Sequence, residues 1–193
     1  NLTDHIKEEM RKYHSDYTSV VIIDNNNGHV LSVLDYENKT KKFGQYLSFS
    51  NQHPAASIFK IVTAAELLEN SDLTNESMLS YLGRKTTLYK YQLRPKNSYR
   101  ERLTTLEDAF ARSNNVVFGK AAIDKLTGVS LYRMAENLGF NIQLLKEIRF
   151  ALSLFPMPDS QYNLAEMASG FNRRTLMTPL HAASLASIIA NDG

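Results

Sequence analysis

The chain contains no cysteine. That excludes a disulfide framework, a thiolate nucleophile and thiolate metal sites, and leaves the redox compartment open. No apolar run approaches the roughly 20 residues of a membrane-spanning helix, and no secretory leader stands at the start. The first residue is Asn1 rather than Met, which reads as a processed piece whose membrane anchor would lie upstream. His5, His14, His29, His53 and His181 show no metal-ligand spacing, so neither a metal nor a cofactor is expected. There is no internal repeat and no low-complexity segment. Net charge is only +2, too little to argue for nucleic acid. That charge is unevenly spread. From Arg84 to Arg102 seven cations stand against Glu101 alone, so the segment carries +6 and the remainder −4. It reads as a solvated loop or hairpin, or as a surface facing an anionic polymer or a partner domain. Tyr89, Tyr91 and Tyr99 lie among these cations, but no nucleic-acid module accompanies them, and nucleic acid is not an expected partner.

What is present is an ordinary globular composition, 43% apolar and 22% charged over 193 residues, which fits one domain or a large piece of one. "LTDHIKEEMRKYH" reads as a short polar helix with Thr3 or Asp4 as its cap. "TSVVIIDNNNGHVLSVLDYE" has two β-branched runs around Asn-Gly, the signature of a hairpin with a tight primed turn. "RKTTLYKYQL" partly alternates and suggests a second hairpin. A capping box, Thr104 with Glu107, opens a helix that should break at Ser113-Asn114-Asn115. Further helices are expected over "VVFGKAAIDKL", stopping at Gly128, and "SLYRMAENL", stopping at Gly139. A last one has Pro179 in its first turn.

The segment "HPAASIFKIVTAAELLEN" carries the chemistry. Its apolar residues fall on every side of a helix, the mark of a core helix. Lysine is almost never fully buried unless paired, yet Lys60 stands in the middle of that run, one turn after Ser57. Residues three apart share a helix face. A serine hydroxyl becomes a useful nucleophile only when a base takes its proton, and a lysine desolvated by a buried helix can be that base. Pro54 puts Ser57 near the helix N-terminus, where free N–H groups favour a developing oxyanion. Alone, Ser-x-x-Lys is a common chance pattern, and Ser113-Asn114-Asn115 is a plain helix cap. Together, once each and in this order, they match the serine acyl-transfer enzymes that carry S-x-x-K and S-x-N.

The chain resembles the penicillin-binding protein transpeptidases. "VVIIDNNNGHVLSVL" is similar to that family's opening hairpin, "PAASIFKIVTAAELLE" to its nucleophile helix, and "LTTLEDAFARSNNVVFGKAA" to the surroundings of its second motif. "MASGFNRRTLMTPLHAASLASIIANDG" is similar to the stretch before its third, with Thr178-Pro179-Leu180 and a closing Ala-Asn-x-Gly. The resemblance implies a mixed α/β (α+β) fold, an antiparallel sheet flanked by helices. It implies Ser57 as the acylated nucleophile and its backbone N–H as half of an oxyanion hole. Lys60 would be the base and Ser113 the proton relay. Asn115 would hold the substrate amide and contact Lys60. The implied partners are a peptidoglycan stem peptide ending in D-Ala-D-Ala, β-lactam antibiotics and other cell-wall synthesis proteins. The implied location is extracytoplasmic. D,D-carboxypeptidase activity and a non-catalytic β-lactam-sensing or scaffolding role remain open alternatives.

One departure stands out. The family's Lys-Thr-Gly motif follows Ala-Asn-x-Gly on a sheet strand, and this sequence ends at Gly193. Lys85-Thr86-Thr87 and Thr127-Gly128 fail on spelling or position. Residues 1–193 are therefore expected to be the N-terminal and helical portion of one transpeptidase domain, lacking its C-terminal strands and acylating poorly alone. Glu66 to Asn70 has the Glu-x-x-x-Asn spacing of a β-lactamase deacylation motif, but it precedes Ser113 and reads as the solvent end of a helix.

Overall fold

β-branched and apolar residues dominate Tyr17–Ile23 and Val30–Glu37, and both segments form strands. The computed structural model describes residues 2–44, 46–94, 100–144 and 150–193. In chain order its elements begin with α1 (Leu2–Lys12), β1 (Tyr17–Ile23), β2 (Val30–Glu37), β3 (Lys42–Gly44) and α2 (Lys60–Asn70). They continue with β4 (Met78–Tyr81), β5 (Arg102–Thr105), α3 (Leu106–Ala111), α4 (Asn115–Lys125), α5 (Gly128–Asn137), α6 (Gln161–Ala168) and α7 (Pro179–Ala190). The fold is mixed α/β with small antiparallel sheets and helices, as the sequence implied. Among the described residues no helix is long and apolar enough to cross a membrane. The chain divides into two compact units.

The first unit holds Asn1–His53, Ile142–Ser153 and Met177–Gly193. Its sheet runs β1-β2-β3, antiparallel throughout, with Ser19 opposite Asp35 and Tyr36 opposite Phe43. Leu34 and Tyr36, two apart on β2, pack with Met10 of α1. Asp35, between them, points to the other face and is only 1% exposed. Its carboxylate accepts from the Ser19 hydroxyl (2.6 Å), the Ser48 hydroxyl (2.6 Å) and the Ser48 N–H (3.0 Å). A buried charge is tolerated when it is hydrogen-bonded in this way. Asp35→Ala strands those donors and should cost on the order of 3 kcal/mol, read as a lower denaturant midpoint. Asp35→Asn, which keeps one acceptor oxygen, should cost less.

Two expectations change in this unit. The hairpin turn is not a two-residue primed turn but the loop Asp24 to His29, closed by Asp24 N–H to His29 O at 2.8 Å. The Asp24 carboxylate causes this, because it accepts from the Asn26 N–H and from the side-chain amides of Asn26 and Asn27. Helix α1 starts at Leu2, so Thr3 and Asp4 lie inside its first turn rather than at its cap.

The second unit holds Pro54–Asn141 and Leu154–Leu176. Its core is aromatic. Phe59 stacks on Phe155 at 4.5 Å and meets Phe140 edge-on at 5.3 Å, and all three are buried. The expected hairpin over "RKTTLYKYQL" is absent. The strands are instead the segments flanking it, β4 and β5, with Met78 opposite Thr105. Gln92 explains this, because its buried amide accepts from Tyr89 N–H and donates to Leu82 O, holding the stretch as a loop. Residues 95–99, including Lys96 and Tyr99 of the basic segment, lie outside the described residues. The cap of α3 is not Thr104 but Thr105, the last residue of β5, whose hydroxyl accepts from Asp108 N–H. Gly128 does not end a helix but begins α5, which Thr127 caps.

Candidate active site

Pro54 and Leu176 form a β-bridge, and Ala55 N–H donates to Thr175 O at 2.8 Å. That bond fixes the chain just before Ala56, a non-glycine residue held at φ +48°. A 3₁₀ turn over Ala56–Phe59 then runs into α2. Ser57 is left exposed at its start, while Lys60, one turn on, is 1% exposed. Lys60 Nζ lies 3.0 Å from Ser57 Oγ.

Lys60 does not snorkel to solvent. Its amine donates to Asn115 Oδ1 at 2.8 Å and to Ser169 O at 2.6 Å. Ser169 is the C-cap of α6, whose last carbonyls have no partner within their own helix. Thr63, one turn after Lys60, takes another of them, Ala168 O, at 2.8 Å. The Phe118 ring lies 5.9 Å from Nζ. Burial pushes the Lys60 amine down from 10.5 to about 8. The geometry then has a consequence. Both Asn115 Oδ1 and Ser169 O can only accept, so they hold two N–H bonds of a neutral amine. The remaining position on Nζ, a lone pair in that form, faces the Ser57 hydroxyl.

Helix α3 ends at Ala111, and Ser113 turns the chain at φ +51°. Ser113 Oγ lies 2.7 Å from Ser57 Oγ. Asn114 is structural, because its side chain caps α4 by accepting from the N–H groups of Val116 and Val117. Asn115 is clamped from the other side, its N–H on Lys85 O (2.8 Å) and its side-chain amide on Thr86 O (3.2 Å). The structure thus brings Ser57, Lys60, Ser113 and Asn115 into one hydrogen-bonded chain, drawn from two segments of the sequence.

Sequence reasoning missed the backbone partners. Ser169 O, Lys85 O and Thr86 O carry no side-chain signature. Gly170 had a usable signal, being a glycine in "MASGF". It sits at φ +70°, and a Cβ there would lie 1.9 Å from Ala56 O and 3.1 Å from Ser57 N. Glu66 is corrected: it is not at the solvent end of a helix but 3% exposed, with its carboxylate on the Asn70 side chain at 2.9 Å. Tyr89 and Tyr91 stack on each other at 5.7 Å.

A family model described as the penicillin-binding protein transpeptidase domain matches residues 18–193. The chain belongs to the penicillin-binding protein transpeptidase family. Comparison with curated proteins finds no match. Solved structures of the same fold include the apo transpeptidase domain of Burkholderia pseudomallei penicillin-binding protein 3. It is 18% identical, with a TM-score of 0.76 over 99% of this chain and 55% of that one. Pseudomonas aeruginosa PBP2, solved with WCK 5153, is 19% identical, with a TM-score of 0.75 over 98% of this chain and 49% of that one. Penicillin-binding protein A from M. tuberculosis, solved as a penicillin G acyl-enzyme, is 20% identical. Its TM-score is 0.73 over 98% of this chain and 50% of that one. The chain therefore spans about half the length of these structures. Within this penicillin-binding transpeptidase domain the serine-lysine-serine-asparagine group lies wholly in the second unit, on the 3₁₀ turn before α2, the start of α2, the Ser113 turn and the start of α4.

Proposed function

We propose that this is a D,D-transpeptidase domain that cross-links peptidoglycan through an acyl-enzyme on Ser57. The observation that carries the reading is the chain from Ser113 Oγ to Ser57 Oγ (2.7 Å), Lys60 Nζ (3.0 Å) and Asn115 Oδ1 (2.8 Å). Ser57 Oγ attacks the carbonyl of the penultimate D-Ala and its proton passes to Lys60 Nζ. The oxyanion forms against the Ser57 N–H, which the missing side chain of Gly170 leaves uncrowded. As the C–N bond breaks, Ser113 hands a proton to the leaving D-Ala amine and regains one from Lys60. An acceptor amine then attacks the Ser57 ester and frees the hydroxyl. Asn115 holds the substrate amide and Lys60 together. Acting on peptidoglycan, the protein works extracytoplasmically beside other cell-wall synthesis proteins, and β-lactams trap its ester.

The test uses the full-length protein. A fluorescent penicillin should label Ser57, and a D-Ala-D-Ala peptide with an amine acceptor should give the cross-linked product. Hydrolysis in place of transfer would mean a D,D-carboxypeptidase, and label without turnover a β-lactam sensor. Absence of label on wild type, with Ser57→Ala indistinguishable from it, sinks the reading.

The base carries a pH signature. With its amine lowered to about 8, Lys60 is neutral in about one molecule in ten at pH 7, against about one in three thousand for a free side chain. Acylation should therefore rise about tenfold per pH unit below that value and level off above about 8. Stopped-flow acylation from pH 5.5 to 9.5 reads this directly. A flat profile removes Lys60 as base.

A further inference from the structure

Acyl transfer leaves the side chains of β4, β5 and the loop after β4 without a task. With α3 they wall a cleft of about 730 Å³. Arg84, Lys85, Arg102 and Arg112 line it against one carboxylate, Asp108. Asp108 already lies 3.6 Å from Arg112 Nε. The side chains of Arg84, Lys85 and Arg102 pair with no carboxylate among the described residues. Cations gathered in one cleft repel each other, and such a cleft concentrates anions.

Position ties this cleft to the reaction. Its Lys85 and Thr86 are the residues whose carbonyls clamp Asn115, at 2.8 and 3.2 Å. Its Arg112 immediately precedes Ser113. The cleft therefore borders the turn that touches Ser57. The lining also narrows the ligand. Arginine forks match planar carboxylates with two parallel bonds. Tyr81 and the 68% exposed Leu103 add apolar surface, which suits an aliphatic peptide stem.

We propose that this cleft binds a carboxylate on the peptide arm of the substrate, away from the bond that is broken. The inference rests on Ser57 being the acylated nucleophile.

The test measures binding of two fluorescent peptides to the full-length protein by anisotropy. Both end in D-Ala-D-Ala. One carries a free side-chain carboxylate upstream and the other its carboxamide. Wild type should prefer the acid by about tenfold or more, the worth of one charge-assisted contact. Arg84→Gln/Arg102→Gln should bring the two within about twofold, with an unchanged thermal midpoint. If that double variant does not fold, each single variant should lose part of the preference. Lys39→Gln, outside the cleft, should keep all of it. Equal affinities in wild type, or a preference that survives in folded Arg84→Gln/Arg102→Gln, overturn the proposal. So does tight binding of inorganic polyphosphate with no acid-over-amide preference. Penicillin labelling of the same wild-type sample is scored separately. Its failure sinks the Ser57 reading, while the peptide pair still decides whether the cleft takes a carboxylate.

Discussion

Full-length protein carrying Lys60→Ala should acylate with penicillin at least about 10³-fold more slowly than wild type, and should still fold. The rate follows from the base. Without it the hydrogen-bond partner that the Ser57 hydroxyl keeps among the described residues is Ser113, itself a hydroxyl 2.7 Å away. General acid–base catalysis contributes about 10²–10⁴-fold, and Lys60 also orients Asn115. The stability half of the prediction is a balance of opposing terms. Burial holds the amine at about 8 instead of 10.5, a desolvation cost on the order of 3 kcal/mol that alanine removes. Against it, Asn115 Oδ1 and Ser169 O lose a charged donor, at about 1.5–3 kcal/mol each. The two roughly offset, and alanine suits a helix better than most residues. Lys60→Met, which fills the same volume, is the second variant if the alanine leaves too large a hole. An unchanged acylation rate removes Lys60 from the mechanism. Collapse of both variants says that its work is to cap α6.

How much of this could be read beforehand depends on where each interaction is encoded. Ser57 and Lys60 were legible because their spacing and the apolar run around them are properties of one helix. Ser113 and Asn115 were legible because a helix break has polar punctuation. Their meeting with Ser57, across 56 residues of chain, followed from family likeness and not from any local rule. Side-chain alternatives decided the local misses. Asp24 could serve as an acceptor inside its own turn, and Gln92 could replace strand hydrogen bonds within its loop. Propensity sees neither, because each depends on where one side chain finds backbone to bind. Strand β3 was missed because three residues are too few to show a period. The carbonyls around Lys60 and Asn115 could not have been found, since every residue has one.

Gly170→Ala should slow acylation by about 10²–10³-fold, although residue 170 donates no group to the reaction. Two costs meet there. At φ +70° a Cβ is strained by about 1–2 kcal/mol. The larger cost is steric. The added carbon would lie 1.9 Å from Ala56 O and 2.5 Å from Ala56 C, which are backbone atoms and cannot rotate away. Relief requires the Ala56–Ser57 peptide to move by about 1 Å or more, and displacement on that scale costs about 10²-fold in a positioned reaction. Ala56 already holds φ +48°, so its peptide has little freedom to adapt. The motion carries Ser57 N, 3.1 Å from the same carbon, away from the oxyanion, and Ser57 Oγ away from Lys60. Gly28→Ala separates the two costs. Gly28 has φ +73° with nothing within 4 Å of its would-be Cβ. It should lose a similar backbone term, a few degrees of melting temperature, and label with penicillin at the wild-type rate. If Gly170→Ala labels within about threefold of wild type, well inside the loss expected from a 1 Å displacement, the Ala56–Ser57 peptide is free to move and Gly170 does not position the nucleophile.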